Sequence, residues 1–483
     1  MTRTATGSSF SRPESANNPD YRPGSATELT RPLENWAEFG RSLAGQLFVP
    51  RSEGYEEARR PFNARFDSLR PEAVAQCADS QDVVEAVRFA ANKGIEVAVR
   101  CGGHSLAGLS STRGLLIDVS PMRSITVTKG LVHVGAGIRL GSMYEQLLDH
   151  GLTIPAGTCP SVGIAGLTLG GGFGLLGRRY GLTLDRLESA TVVLADGSIV
   201  ECDDSRDAPL FWALRGAGAG KFGVVTRFTF RPVMASSTMS AFALTWPFAH
   251  AAEVLTAWQI SAPNAADDFY AEMELSAGEN ILDTPSVAVR GAGLASERDT
   301  RRLLDAMVDV VGLAPSSYNC GELSFRETIA LHAGEGGEVS HQAFHFAKSE
   351  FFDKPLPDST ALALIATFEQ SRRPGQSRTL YFAPWGGAIN RRAADATAFA
   401  HRDHLFLIEH SALVDRGAKQ ADKAAADDWV KSSWASVHDA GSGSVYPAFP
   451  DPQLVNAESA YYAGNVARIR EVKAMYDPDN FFG

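Results

Sequence analysis

Residues 155–172 read P-A-G-T-C-P-S-V-G-I-A-G-L-T-L-G-G-G, and residues 100–105 read R-C-G-G-H-S. Glycines let a backbone come close to a diphosphate and adopt positive φ angles without steric cost. His104 follows the two glycines of the shorter stretch, and Cys159 opens the longer one. We therefore expect two loops that hold one planar cofactor, each carrying a nucleophilic side chain to fix it.

Each loop also has a simpler interpretation. The G-G-H of the first loop follows a predicted strand at 95–100, where phosphate-binding loops commonly lie, but a tight turn with a structural histidine explains it equally well. The second loop has five glycines in ten residues, at positions 163, 166, 170, 171 and 172. Because every glycine adds an entropy cost to folding, close approach to a ligand explains this density better than a surface turn does.

The bulk composition indicates a globular enzyme of two domains. A chain of 483 residues exceeds one ordinary core, and its 44% hydrophobic and 21% charged residues are typical of a folded protein. The net charge of −11 argues against nucleic acid or an anionic membrane as a partner. No apolar run approaches the roughly 20 residues that span a bilayer.

The cysteines and the N-terminus predict a cytoplasmic protein without a metal site. The five cysteines are widely spaced and include no C-x-x-C pair, which fits neither a disulfide framework nor a zinc site. The N-terminus lacks the apolar core of a secretory signal. We expect residues 1–34 to form a flexible leader and the enzyme to act inside a bacterial cell, in secondary metabolism.

Local patterns predict a mixture of strands and helices. Asp196-Gly197 predicts a hairpin within 190–201, and V-V-T-R-F-T-F predicts a strand at 224–230. The composition changes near residue 233, which indicates a second domain that provides the other wall of the site.

Two polar residues on apolar helix faces have open roles. We predict one helix over 457–476, on whose buried face Asn465 needs a partner, either backbone carbonyls or a cofactor. Tyr144 lies on the apolar face of a helix predicted at 139–150. It is either a core tyrosine or a group at the edge of a cavity.

Other catalytic motifs lack support. Residues 218–223 match G-x-G-x-x-G, but this run follows a predicted helix and opens a strand, the reverse of a dinucleotide-binding loop. The sequence contains no G-x-S-x-G elbow and no H-E-x-x-H helix, so nothing supports a hydrolase or a zinc protease.

The separated motifs together resemble the berberine bridge enzyme-like family of flavoproteins, in the vanillyl-alcohol oxidase superfamily with its PCMH-type FAD-binding domain. The resemblance covers residues 68–483 and rests on motifs in a fixed order. Beyond the two glycine stretches these are Y-G-L-T-L-D at 180–185, L-F-W-A-L-R-G-A-G-A-G-K-F-G-V-V-T at 210–226, Y-Y-A-G-N-V-A-R-I at 461–469 and Y-D-P-D-N-F at 476–481.

The resemblance implies an α+β fold of two parts. A two-subdomain FAD-binding domain would occupy residues 35–232, with its PCMH-type core at about 68–235. A substrate-binding domain with an antiparallel sheet covered by helices would occupy 233–446, and residues 447–483 would return to the FAD domain. Such an enzyme would be a monomer or a homodimer.

It also implies a bicovalent FAD, with His104 bonded to the flavin 8α carbon and Cys159 to C6. The further cofactor-binding residues would be Arg100, Cys101, Gly102, Gly103, Ser105, Val162, Gly163, Gly166, Thr168, Gly170, Gly171, Gly172, Gly223, Val225, Tyr462 and Asn465. Val162 matches the family position that controls access of oxygen. A small branched residue there predicts O2 as the electron acceptor and H2O2 as the product.

The catalytic base is where the chain departs from the family. Many members carry Y-x-N-Y-x-D before the tail, whereas residues 446–451 read Y-P-A-F-P-D, so Phe449 replaces the second, often catalytic, tyrosine. Tyr144, Tyr446 and Asn390 remain as catalytic candidates, the last on a strand predicted at 386–390. An amide can orient a substrate but is a poor base.

We therefore predict an FAD-dependent oxidase that transfers hydride from a hydroxyl-bearing small molecule, or a similar C–H donor, to flavin N5. A carbohydrate or oligosaccharide oxidase is the alternative enzyme. A flavin-holding protein that has lost turnover is the alternative outside catalysis, because Phe449 cannot take a proton.

Overall fold

The computed structural model describes residues 33–333 and 343–483. The predicted leader lies outside the described residues apart from its last two positions, where the first helix begins. The described residues form sheets of four, five and seven strands and one short strand pair.

The first part of the chain builds the four-stranded sheet. Its helices and strands are α1 (Leu33–Ser42), β1 (Gln46–Phe48), α2 (Tyr55–Arg59), β2 (Ala73–Gln76), α3 (Ser80–Lys93), β3 (Val97–Arg100) and β4 (Leu115–Asp118). The sheet order is β1-β2-β4-β3, with β4 parallel to both of its neighbours and β1 antiparallel to β2. The first glycine loop follows β3 directly, as expected.

The next part builds an antiparallel five-stranded sheet. Its helices and strands are β5 (Ile125–Thr128), β6 (Leu131–Gly135), α4 (Leu140–Leu148), β7 (Leu152–Thr153), α5 (Ile164–Gly170), α6 (Gly177–Tyr180), β8 (Leu187–Val193), β9 (Ile199–Cys202), α7 (Ala208–Ala217), β10 (Val224–Phe230) and β11 (Val233–Met234). The sheet order is β5-β6-β10-β8-β9, and β7 pairs with β11. The predicted hairpin at Asp196-Gly197 joins β8 to β9, and the predicted strand at 224–230 is β10.

The third part is an antiparallel seven-stranded sheet with helices. Its members are β12 (Met239–Pro247), α8 (Ala251–Ser261), β13 (Phe269–Ala277), β14 (Ser286–Gly293), α9 (Glu297–Val311), β15 (Ser317–Leu323), α10 (Phe325–Ala333), β16 (Ala343–Phe352), α11 (Asp358–Glu369), β17 (Gln376–Pro384), β18 (Phe406–Asp415) and α12 (Gln420–His438). The sheet order is β15-β12-β14-β13-β17-β18-β16. Apolar side chains of α8, α9, α11 and α12 pack on one face of this sheet in a core of its own.

The tail is two helices, α13 (Ala457–Tyr462) and α14 (Val466–Tyr476), rather than the single helix we predicted. Ala463 adopts a φ of 44°, and a 3-10 turn over 463–465 separates the helices. The break lets Tyr462 and Asn465 point to different neighbours. The side chains of Tyr462, Ile469 and Val472 join the core that the first two sheets share.

The predicted strand at 386–390 is also wrong. Strand β17 ends at Pro384, and residues 387–390 form a turn. Gly386 and Gly387 have φ angles of 102° and 60°, which an extended strand does not contain. The turn is fixed by Asn390, whose side chain bonds within it.

None of the helices described for residues 33–333 and 343–483 is both long and apolar enough to cross a bilayer. Within the same residues, no three His, Cys, Asp or Glu side chains come together as a metal-binding group.

Candidate active site

The two glycine loops touch each other because two glycines lack side chains. A Cβ atom on Gly102 would overlap the amide nitrogen of Gly163, and one on Gly163 would overlap the sulfur of Cys101. His104 follows this contact on one loop, and Cys159 precedes it on the other. Both side chains are partly exposed. The structure therefore brings the two nucleophile-bearing loops into direct contact.

The first loop is tied to the edge of the seven-stranded sheet. The ring of His104 stacks on Phe62, with ring centroids 3.8 Å apart and 20° between the planes. The amide of Phe62 donates to the carbonyl of Gly103 at 3.2 Å. The next residue, Asn63, donates through Nδ2 to the carbonyl of His345 in β16 at 2.8 Å.

The second loop is held by a tyrosine from residues 446–451. The amide of Gly172 donates to the hydroxyl oxygen of Tyr446 at 2.7 Å, and the Gly172 carbonyl accepts from the amide of Thr183. On α5, Gly166 is exposed with open space beside it, and the hydroxyl of Thr168 is buried with no hydrogen-bond partner in the described part of the chain. This helix therefore keeps open space and polar capacity for a ligand.

The seven-stranded sheet turns a polar face toward these loops. Lys348 and His410 point to α12, where they contact Trp434 and Ser433. Because side chains alternate along a strand, the residues next to them point the opposite way. We call this opposite side the inner face; it carries Tyr270, Glu272, Arg290, Ser349, Tyr381, Glu409 and Ser411.

The inner face reaches both loops. Phe173, which follows the second loop, lies over Tyr381 with ring centroids 6.5 Å apart. At the other end, His345 on β16 accepts the bond from Asn63 beside the first loop, and its Nε2 lies 2.8 Å from the hydroxyl of Ser411. The loops and the inner face are thus two walls of one site.

Glu409 lies near the middle of the inner face, between Tyr381 on β17 and Ser349 on β16. Protein largely surrounds this side chain, which keeps some accessible surface. Burial raises the pKa of the carboxyl to about 7, and no cation in the described residues lowers it again. A carboxyl with this pKa is suited to act as a general base near neutral pH.

A polar network continues from Tyr381 across the inner face. The hydroxyl of Tyr381 donates to Glu272 at 2.8 Å and lies 3.0 Å from the hydroxyl of Tyr270. Arg290 lies opposite Glu272 on β14, with 3.6 Å between the charged atoms, and also pairs with Glu274. Aromatic rings beside charged groups give this wall both stacking surface and hydrogen-bonding groups for a polar ligand.

Family comparisons agree with this arrangement. A family model described as FAD binding domain matches residues 71–203, and one described as Berberine and berberine like matches residues 445–483. The chain is 32% identical over 447 residues to the FAD-linked oxidoreductase YgaK of Bacillus subtilis, covering 91% of this chain and 96% of that one. It is 29% identical over 458 residues to the chitooligosaccharide oxidase of Gibberella zeae, covering 89% of each.

A solved structure is similar to this chain in fold as well as in sequence. The glucooligosaccharide oxidase of Acremonium strictum, described with a 6-S-cysteinyl, 8α-N1-histidyl FAD, superposes with a TM-score of 0.82. Its identity to this chain is 26%, and the match covers 93% of this chain and 98% of that one. The chain belongs to the berberine bridge enzyme-like family of FAD-linked oxidoreductases. The predicted family, α+β fold and FAD cofactor are confirmed.

Two of the catalytic candidates have other tasks in this family member. Tyr144 is a core residue of α4 whose hydroxyl donates to the carbonyl of Gly157 at 2.8 Å, and burial raises its pKa far above neutrality. Asn390 accepts from the amide of Gly386 at 3.1 Å and donates to the carbonyl of His404 at 2.9 Å. Both groups are used within the protein, so the geometry contradicts their assignment to catalysis.

Tyr446, the third candidate, holds a loop. Its hydroxyl accepts from the amide of Gly172, and burial raises its pKa well above the ordinary value. Its ring packs against Phe173 and Phe449 in a small aromatic cluster. A tyrosine in this setting fixes the second glycine loop and is a poor proton acceptor, so its contacts favour a supporting role over that of a base.

Two predicted cofactor residues on the first loop direct their side chains into the protein. The Arg100 guanidinium donates to the carbonyls of Ala58, Arg59 and Ser110, and burial lowers its pKa to about 10. The hydroxyl of Ser105 accepts from two amides of the following turn. The side chains of Arg100 and Ser105 therefore shape the loop, which leaves the loop backbone and His104 to contact the cofactor.

Cys101 lies between the two loops. Its sulfur is 3.8 Å from the carbonyl of Ile138, and burial raises the pKa of the thiol to about 12. The thiol therefore stays protonated and serves as packing. Val162 on the second loop is partly exposed, and Gly223 and Val225 lie at the start of β10.

The side chains of the tail residues bond mainly to other segments of the protein. The amide nitrogen of Asn465 donates to the carbonyls of Ala394 and Thr397, the first of our two alternatives for this residue. Tyr462 accepts from Lys221 at 2.8 Å, which docks α13 on the loop before β10. Asn465 is therefore an anchor of the tail through Nδ2, and its role as a cofactor ligand stays a prediction.

Glu409 is a candidate base that sequence reasoning missed. It stands in the run F-L-I-E-H-S-A-L-V, a single carboxylate in an apolar strand. This isolated charge was the signal available in the sequence, because a charged residue is rarely buried in a strand without a structural or functional cause. Which face the residue points to depends on the pairing of β16, β17 and β18, and no local pattern specifies this pairing.

Proposed function

We propose that this enzyme is an oxidase that removes two electrons and two protons from a hydroxyl-bearing small molecule, leaving a carbonyl group, and delivers them to O2, giving H2O2. The single observation that carries the proposal is Glu409, a carboxyl with a pKa of about 7 on the inner face of the sheet, the wall that reaches both glycine loops. Its position supplies the proton acceptor that Phe449 cannot be.

The residues present fit a bicovalent flavin. His104 and Cys159 are partly exposed on loops that touch, and α5 offers the open space at Gly166 and the unpaired hydroxyl of Thr168. His104 and Cys159 would hold the FAD. When bound, FAD accepts a hydride equivalent from the substrate and is reoxidised by O2.

The chain's own residues would perform the proton transfer and the orientation. Glu409 would take the hydroxyl proton onto a carboxylate oxygen as the substrate C–H bond breaks. Tyr381 and Glu272 would orient the substrate from the side, since their mutual hydrogen bond fixes both groups in the wall. Packing around Phe173 and Tyr446 would exclude water from this end of the site.

Carbohydrate is the second candidate substrate. Tyr270, Tyr381, Glu272 and Arg290 combine aromatic surface with several hydrogen-bonding groups, which suits a ligand with many hydroxyls. Relatives named for chitooligosaccharide and glucooligosaccharide oxidation support this class. Val162, with its small branched side chain on the second loop, supports O2 as the acceptor.

The test is peroxide release from a panel of alcohols by the FAD-loaded enzyme under air. The panel contains cellobiose, xylobiose and chitobiose on one side and benzyl and cinnamyl alcohol on the other. At least one compound should release H2O2 in a one-to-one ratio with the O2 consumed, and should bleach the flavin when air is absent. A flavin that none of these compounds bleaches anaerobically would support the flavin-holding alternative.

The attachment is tested separately by acid precipitation. We expect flavin to stay with the precipitated wild-type protein, and to stay with His104→Ala and with Cys159→Ala, because one bond remains in each. The double variant should release its flavin into the supernatant. Cys320→Ala, which removes another partly exposed cysteine, is the control and should retain flavin. Free flavin from the wild type would contradict covalent attachment.

A further inference from the structure

We propose that Ser349 is a positioning residue for Glu409, with its hydroxyl donating a hydrogen bond to the carboxylate when Glu409 is ionised. The inference rests on the proposed function, in which Glu409 is the base, and names the group that controls its charge and direction. Ser349 itself need not touch the substrate.

The register of the sheet places the two side chains together. Ser349 and Glu409 are direct partners in the ladder between β16 and β18. Lys348 and His410, the adjacent residues, point to α12, so both Ser349 and Glu409 point to the inner face. Directly opposed residues of antiparallel strands have Cβ atoms about 4.5–5.5 Å apart. From this position, a rotation of the long Glu409 side chain would bring its carboxylate to the serine hydroxyl.

The hydroxyl of Ser349 has unused bonding capacity. Ser349 is 2% exposed, and its oxygen has no hydrogen-bond partner among the described residues. The neighbouring serine on the inner face, Ser411, is bonded to His345, and Ser433 on α12 is bonded to His410. An unpaired buried hydroxyl destabilises a fold, so its presence beside a titrating carboxyl calls for a functional explanation.

The surroundings make Glu409 the group that changes charge here. Tyr381 on β17 is paired directly with Glu409 and has Glu272 beside it; His345 on β16 lies farther along the same face, and Tyr446 lies in the aromatic cluster that includes Tyr381. Burial raises the pKa of both tyrosines and lowers the pKa of His345 to about 4. Neither the tyrosines nor the histidine therefore changes charge between about pH 5.5 and 8.5.

The consequence is a contribution of Ser349 that depends on pH. A hydrogen bond to an ionised group is stronger than one to a neutral group, so the hydroxyl favours the carboxylate form of Glu409. Replacing Ser349 by alanine should raise the pKa of Glu409 further, by about one unit. At low pH, where Glu409 is protonated, the same replacement should cost little.

The experiment is a double-mutant cycle on the FAD-loaded enzyme, read as melting temperature at about pH 5.5 and pH 8.5. The four proteins are the wild type, Ser349→Ala, Glu409→Gln and the double variant. We expect Ser349→Ala to lower the melting temperature by about 2 °C at the higher pH only. In the Glu409→Gln background the replacement should have no effect at either pH.

Three further variants make the result unambiguous. Ser349→Thr retains the hydroxyl and should behave as the wild type. If threonine does not fit at this position, Ser349→Cys is used as the conservative variant instead of Ser349→Thr. Ser433→Ala removes the partner of His410 away from the site and should lower the melting temperature equally at both pH values. A loss for Ser349→Ala that is equal at both pH values, or that persists in the Glu409→Gln background, would overturn the proposal.

Failure of this inference is distinguishable from failure of the proposed function. Peroxide release by Glu409→Gln tests the base directly. An inactive Glu409→Gln without coupling to Ser349 overturns only the role of Ser349. An active Glu409→Gln overturns the role of Glu409 as base, and with it the catalytic meaning of Ser349, whatever the cycle shows.

Discussion

Replacing Glu409 by glutamine is expected to lower kcat by about 10²- to 10⁴-fold, the range contributed by positioned acid–base groups. The amide has nearly the shape of the carboxylate but cannot accept the proton. The measurement is peroxide release under air with the best substrate of the panel. Glu253→Gln, which changes an exposed glutamate on α8, is the control and should keep the full rate. A Glu409→Gln enzyme that retains more than about a tenth of the wild-type kcat would contradict the assignment.

The same variant should change how stability depends on pH. The folded-state pKa of Glu409 is raised from 4.5 to about 7, so its protonated form stabilises the fold fully below about pH 4.5. This stability is lost as the pH rises through 7, by about 3 kcal/mol for a shift of this size. Glu409→Gln does not suffer that loss. Its stability relative to the wild type should therefore rise between pH 4.5 and pH 8, as measured by urea unfolding.

Removing Asp185 should destabilise the fold by about 3–5 kcal/mol, the usual result of leaving one partner of a buried ion pair alone. Asp185 and Arg402 have 1% and 0% exposed side chains and form two hydrogen bonds of 2.8 and 2.9 Å. The pair joins the end of the Y-G-L-T-L-D motif to the loop before β18. We expect Asp185→Ala to show this loss in urea unfolding.

The comparison variants for Asp185 separate burial from charge. Glu188→Ala breaks an exposed pair with Arg231, and we expect it to change stability by no more than about 1 kcal/mol. Asp185→Ala combined with Arg402→Met should recover part of the loss, since no unpaired buried charge remains. A loss below about 1 kcal/mol for Asp185→Ala alone would contradict the importance of the pair.

The elements predicted correctly are those whose signals are local. Asp196-Gly197 specifies its hairpin through the turn itself, and the apolar run at 224–230 specifies β10. The glycine loops could also be predicted from the sequence, because residues 102 and 163 must be glycine for the loops to touch. The helix over 457–476 failed because its break at Ala463 comes from docking against distant segments, which the helical pattern of its own residues does not contain.

The candidate base was harder to predict from sequence for a related reason. Tyr144 and Tyr446 are chemically possible bases, but their hydroxyls are bonded to Gly157 and Gly172, and burial raises their pKa values. These partners come from other segments of the chain. The pKa of Glu409 is raised in the same way, because other segments of the protein bury its side chain on a paired strand. Residue type limits what a side chain can do, and its tertiary neighbours decide whether it does so.

The shared core of the tail and the first two sheets also sets an order of events during synthesis. A ribosome makes the first two sheets early, yet Tyr462, Ile469 and Val472, which belong to their core, emerge only after the whole seven-stranded sheet. Until then the nascent chain exposes the apolar groove that these residues will cover. The flavin-binding part is thus the first to start folding and among the last to finish.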